Sequence, residues 1–144
     1  PPEPSVASLS ASIEEAGARG DVERVNALEA HLWLDGPRGP EGRVGGAVRA
    51  LFLEMNGIAL RAPSPGAERE SPPALPRLGA LRVPTRVVCG ELDRPHFQEL
   101  CALLARTLPG ADLRMMPGCA HLPNLEQPRL FETLVRELLG RLEA

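Results

Sequence analysis

Between Thr85 and Leu142 the chain alternates two short β-branched or apolar runs with two amphipathic stretches, each bounded by Gly or Pro. TRVVCG (85–90) is compact, rich in branched residues and closed by glycine, as a buried parallel strand would be. Phe97, Leu100, Cys101, Leu104 and Leu108 then recur on one face of a helix, which Pro109-Gly110 stops. ADLRMM (111–116) predicts a second strand, ended by Pro117-Gly118. A last helix starts around Gln127-Pro128 and carries Leu130, Phe131, Leu134, Val135, Leu138 and Leu142 on a core-facing stripe. This order of strand–helix–strand–helix predicts an α/β unit with a parallel pair and a right-handed crossover. Two strands bury little, so the natural place for such a pair is the edge of a larger sheet.

The preceding half predicts helices. Residues 1–12 are rich in Pro, Ser and Ala and are expected to be a linker. Asp21 is a candidate N-cap for a helix bearing Val22, Val25, Leu28 and Leu32, with Trp33 beside them. Asp35-Gly36-Pro37 forces a turn, and the Gly-rich stretch 38–46 predicts a loop. A second amphipathic helix places Val48, Leu51, Phe52 and Met55 on one side and is expected to end near Asn56-Gly57. Residues 62–76 are Pro-rich and charged, which predicts an exposed connection. The expected division is a linker and helical cap-like region over 1–76 and an α/β core portion over 77–144.

Composition narrows the function classes. Of 144 residues 43% are hydrophobic, enough for a folded core, and the net charge of −3 gives no reason to expect nucleic acid or a membrane surface as partner. All the basic residues are arginine, a bias of composition rather than a motif. No apolar run is long enough to span a bilayer, and no signal segment opens the chain, so the default expectation is the cytoplasm. The first residues resemble an interior point of a longer chain. Cys89, Cys101 and Cys119 are odd in number and lack metal-ligand spacing, and Cys89 sits in an apolar run as a buried thiol would. No metal site is expected.

Two residues at the expected carboxyl ends of the strands could carry chemistry. Asp93 follows Gly90 by three residues, and His121 follows the second strand by a turn. Adjacent strand ends can bring an acid and an imidazole together, with the carboxylate fixing the tautomer of a general base. On spacing alone a second reading stands beside this one: an Asp after Gly is commonly a turn or cap residue, and a lone His is commonly structural. Cys119 lies near His121 and a Cys–His pair is a further alternative. Glu91, His31 and His96 are expected on the surface or in the cap-like region.

VPTRVVCGELDRP resembles the segment of α/β-hydrolases that carries the triad acid, V-P-x-x-x-x-x-G-x-x-D-x-P. PGADLRMMPGCAHLPNLEQP is similar to that family's closing segment, P-G-x-G/A-H-x-P-x-x-E-x-P, which carries the triad histidine. The resemblance covers roughly Leu81 to Leu142. It implies the C-terminal part of an α/β-hydrolase sheet, preceded by a helical cap segment. Asp93 would be the orienting acid and His121 the general base, with no cofactor. GDVERVNALEAHLWLDGP is similar to a cap segment of these enzymes. That would make Leu28, Leu32, Trp33 and the stretch from Leu51 to Met55 part of a lid over the substrate, the plainer alternative being an ordinary amphipathic helix pair.

The departure from the family is as informative. No G-x-S-x-G elbow occurs, and the serines sit in Pro-rich or polar stretches. The nucleophile and oxyanion hole would have to come from elsewhere, and residues 1–144 alone are expected to be inactive. The implied parent cleaves a small ester- or amide-type bond in a small-molecule substrate. Dehalogenation or carbon–carbon bond hydrolysis on the same fold is also open. The alternative is a non-catalytic truncated paralogue or docking subunit, with a homo-oligomer or a complementing chain covering the open sheet edge.

Overall fold

The computed structural model describes residues 4–64, 66–67 and 71–141. From Pro4 the chain is helical: α1 spans Pro4–Ala18. The linker expectation for this stretch is therefore corrected. Val6, Leu9, Ile13 and Ala16 recur at intervals of three and four residues, a stripe that outweighs the Ser- and Pro-rich composition around it. Ala16 packs against Val25 and Leu28 of α2 (Val22–Glu29), with Leu9, Ile13 and Leu60 around them. Asp21 caps α2 as expected, its carboxylate accepting from the Arg24 N–H at 3.0 Å.

α2 continues into a wider π-helical turn over Ala30–Asp35, which ends at Gly36 with φ +85°. The stretch 38–45 loops, as anticipated. α3 then runs Gly46–Arg61, past the stop expected at Asn56-Gly57. Gly57 is buried in the α2–α3 contact, where a Cβ would lie 2.8 Å from the Arg61 guanidinium and 3.2 Å from the Asn26 amide. Helix breaking was the wrong role for this glycine; it lets two helices approach. The contact is polar: Asn26 donates to the Leu53 carbonyl, and Asn56 donates to Asn26 and Glu29. The apolar side expected on α3 is divided accordingly. Val48 and Phe52 are half-buried, whereas Leu51 and Met55 are exposed and do not pack as a lid within these residues.

A short 3-10 turn over Leu75–Ala80 leads into β1 (Arg86–Gly90), α4 (Pro95–Thr107), β2 (Asp112–Met116), the single turn α5 (Pro123–Glu126) and α6 (Pro128–Gly140). β1 and β2 pair in parallel, with Arg86 opposite Asp112 and Gly90 opposite Met116. At the amino end of the pair the Arg86 guanidinium, 2% exposed, binds Asp112, Glu137 and the Leu134 carbonyl. The hydrogen bond from Arg86 holds the Asp112 carboxyl below the ordinary carboxylate range. The inner face of α6 is Phe131, Leu134 and Leu138, while Leu130 and Val135 are exposed. A two-stranded sheet is too narrow to cover the whole predicted stripe. Leu142 lies outside the described residues. No described strand pairs with the outer edge of either β1 or β2. No described helix is long and apolar enough to cross a membrane.

Candidate functional site

Asp93 and His121 stand at the carboxyl ends of the two parallel strands. β1 ends at Gly90, and the chain turns at once, the Asp93 N–H donating to the Gly90 carbonyl at 3.2 Å. β2 ends at Met116 and turns through Pro117-Gly118, with Gly118 at φ +69°. The two turns are bonded to each other: the Glu91 N–H donates to the Met116 carbonyl and the Leu92 N–H to the Cys119 carbonyl, at 3.0 and 2.7 Å. Gly90 makes this approach possible, since a Cβ there would sit 2.0 Å from the Ala120 carbonyl oxygen.

His121 Nδ1 lies 2.9 Å from Asp93 Oδ2. Oδ1 of the same carboxylate accepts from the Arg94 N–H at 2.7 Å, so both oxygens are engaged and Asp93 is only 5% exposed. A carboxylate can only accept, which puts the ring proton on Nδ1 and leaves the Nε2 lone pair available. No described residue hydrogen-bonds Nε2, and the His121 side chain is about one-third exposed, at 35%. The geometry is that of an oriented base, buried on its acid side and open on the other.

The ring is also held by its neighbours. The Trp33 carbonyl accepts from the His121 N–H at 3.1 Å, and the Trp33 and Phe97 rings tilt against the imidazole at centroid distances of 4.9 and 4.8 Å. Of the two cap candidates, Trp33 therefore lies at the pair, whereas Leu32 is buried in the helical layer. His31 contacts the Gly39 carbonyl and His96 is exposed, stacked at 5.5 Å from Phe97. Glu91 is exposed and accepts from the Gly118 N–H.

A clamp beneath the histidine turn was not legible in the sequence. Glu126, 3% exposed, accepts from the Ala120 and Leu122 N–H groups on either side of His121. Arg43 binds Glu126 and also donates to the carbonyls of Leu34, Asp35 and Gly118 at 2.7–2.8 Å. Asp35, fully buried, accepts from the Gly42 and Val44 N–H groups and pairs with Arg49 at 2.9 Å. These charges are compensated on every side, as buried ions must be. They tie the loop after the π turn to the turn bearing His121. Glu126 belongs to the closing motif, but Arg43 is 83 residues away and nothing local announces the pairing.

Cys119 is fully buried and burial pushes its thiol up to about 11; burial likewise pushes Cys89 up to about 12. A thiol held protonated at neutral pH is no nucleophile, so the Cys119–His121 alternative finds no support. Among the described residues no group of three His, Cys, Asp or Glu side chains is arranged to hold a metal. A pH prediction follows from the two thiols. An unfolded chain releases its thiol protons near 8.5. Above that pH it binds fewer protons than the fold, so stability falls as pH rises from about 8.5 toward the folded values, by on the order of 1 kcal/mol per pH unit per thiol. Urea midpoints measured between pH 7.5 and 10.5 are expected to decline, with a shallower decline in Cys119→Ala. A flat profile in the parent chain would contradict the assignment.

Fold and site together define a mixed α/β chain with a small parallel sheet and an acid–histidine pair at its carboxyl edge. Over 96 residues the chain is 32% identical to a Bacillus subtilis (strain 168) protein named as a 2-succinyl-6-hydroxy-2,4-cyclohexadiene-1-carboxylate synthase. The match takes in 64% of this chain and 34% of the relative, so the chain spans about a third of that protein's length. No family model matches the chain, and no solved structure matches it.

Proposed function

We propose that this chain is the C-terminal part of an α/β-hydrolase and supplies the acid and the base of a serine triad, Asp93 and His121. The nucleophile would come from outside residues 1–144. The observation that carries the reading is the 2.9 Å contact between Asp93 Oδ2 and His121 Nδ1, made from the carboxyl ends of adjacent parallel strands. The partial relative, named for a synthase, adds support at the level of an enzyme of this general type.

His121 Nε2 takes the proton of the attacking serine hydroxyl and returns it to the leaving group. Asp93 holds the ring in the tautomer that leaves Nε2 free, and stabilises the imidazolium once it has formed. The bond cleaved would be a small ester- or amide-type linkage. Trp33, whose ring touches that of His121, would form part of the wall over it.

The test is a fluorophosphonate label applied to the chain expressed with its flanking coding sequence. Labelling of one serine is expected, and His121→Ala is expected to abolish it while far-UV circular dichroism stays unchanged. Full labelling in His121→Ala would remove the base from its role. A docking subunit is the second reading, favoured by the unpaired edge of β1 and by the exposed Leu81 and Val83 that lead into it. Absence of any reactive serine together with concentration-dependent self-association would favour it.

A further inference from the structure

The Arg94 guanidinium stands next to the acid–histidine pair in the chain, and no described residue forms an ion pair with it. It lies over the Trp33 ring at 5.1 Å and the Phe97 ring at 5.6 Å, the same two rings that hold the His121 imidazole. Its Nε is buried with no hydrogen-bond partner. Asp93 makes no ion pair with it: Oδ1 accepts from the Arg94 backbone N–H and Oδ2 faces His121. Every other arginine clamp of the site is saturated: Arg43 and Arg49 both end on buried carboxylates. Leaving a charged donor unpaired beside an apolar wall is costly, and two stacked aromatic faces recover only part of that cost.

A guanidinium placed over aromatic rings can still offer its edge, two parallel N–H groups in one plane, which matches a carboxylate in fork geometry. We propose that Arg94 is an anion-binding residue that anchors a carboxylate group of the ligand beside His121. The ligand class is a small carboxylic acid anion, its charged end on Arg94 and its apolar part on Trp33 and Phe97. Calling that ligand the substrate rests on the triad reading; the binding itself does not.

Trp33 is the only tryptophan of the chain, and Arg94 sits over it, so its fluorescence reports directly on the site. The experiment titrates the 144-residue chain with succinate, with succinamide as the neutral isostere and inorganic phosphate as the competing oxyanion, at constant ionic strength. Succinate is expected to change Trp33 emission saturably, succinamide and phosphate to do so at least about tenfold more weakly. Arg94→Gln should weaken succinate by about tenfold or more, and Arg94→Lys, which keeps the charge but loses the fork, by an intermediate factor. Asp93→Asn should retain succinate binding. That separates this inference from the triad reading: full labelling in His121→Ala, or no labelled serine in the parent, with succinate binding intact sinks the triad and leaves the anion site standing. Equal responses to succinate and succinamide, equal responses to succinate and phosphate, or unchanged succinate affinity in a folded Arg94→Gln, would overturn it.

Discussion

Asp93→Asn is expected to lower turnover of the complete enzyme by about 10⁴ on the triad reading, with little change in stability. The amide is isosteric with the carboxylate. It can keep an oxygen toward the Arg94 N–H, which lies 2.7 Å from Oδ1 in the parent, so the turn after β1 stays closed. What changes is the group facing His121 Nδ1 at 2.9 Å. With its oxygen on Arg94, the amide presents N–H to the ring, and the imidazole must then carry its proton on Nε2. A protonated Nε2 cannot accept a proton from a nucleophile. The developing imidazolium also loses its buried counter-charge. Steady-state kinetics beside a urea unfolding curve would check both halves of the expectation. An Asn variant with parental kcat would mean that the carboxylate contributes only to the turn.

Gly90→Ala is the backbone counterpart, and the expected loss falls on the fold first. An added Cβ would meet the Ala120 carbonyl oxygen at 2.0 Å, the Cys119 oxygen at 2.4 Å and the Cys119 carbonyl carbon at 2.7 Å. All three are main-chain atoms of the turn that carries His121, pinned from below by Glu126 and from the side by Leu92. No rotamer change relieves such a clash. Either β1 and the histidine turn separate or the residues around them shift together, and a destabilisation of about 3 kcal/mol or more is expected. Gly45→Ala is the control: no atom lies within 4 Å of its Cβ, and it should be nearly neutral. If Gly90→Ala matched Gly45→Ala in its unfolding midpoint, the close approach of the two turns would be wrong. In a folded Gly90→Ala the Asp93–His121 contact should be lengthened, and activity should fall with it.

Local signals were enough for the second half of the chain. β1, α4, β2 and α6 begin and end within a residue or two of the Gly and Pro punctuation, since strand and helix periods are short-range properties of the chain. The positions of Asp93 and His121 at two adjacent strand ends follow from the same order of elements. Helix α1 was hidden because Ser and Pro suggest a linker until Val6, Leu9, Ile13 and Ala16 are counted as a stripe. Its partner, α2, confirms that stripe only through packing. At Gly57 local chemistry pointed to a helix end, and the need for close approach to Asn26 won instead.

The sequence by itself determined the types and order of the elements and which two residues would stand at the strand ends. These are set by neighbours a few positions apart. Only the tertiary structure decided that Nδ1 faces Oδ2, that Trp33 and Phe97 enclose the ring, and that Leu51 and Met55 remain exposed. It also decided that Arg43 and Glu126 join across 83 residues, and that the buried Arg94 Nε has no hydrogen-bond partner among the described residues. Such pairings depend on distances between elements that no local pattern encodes. They are settled by which packing leaves the fewest buried charges and backbone groups without partners.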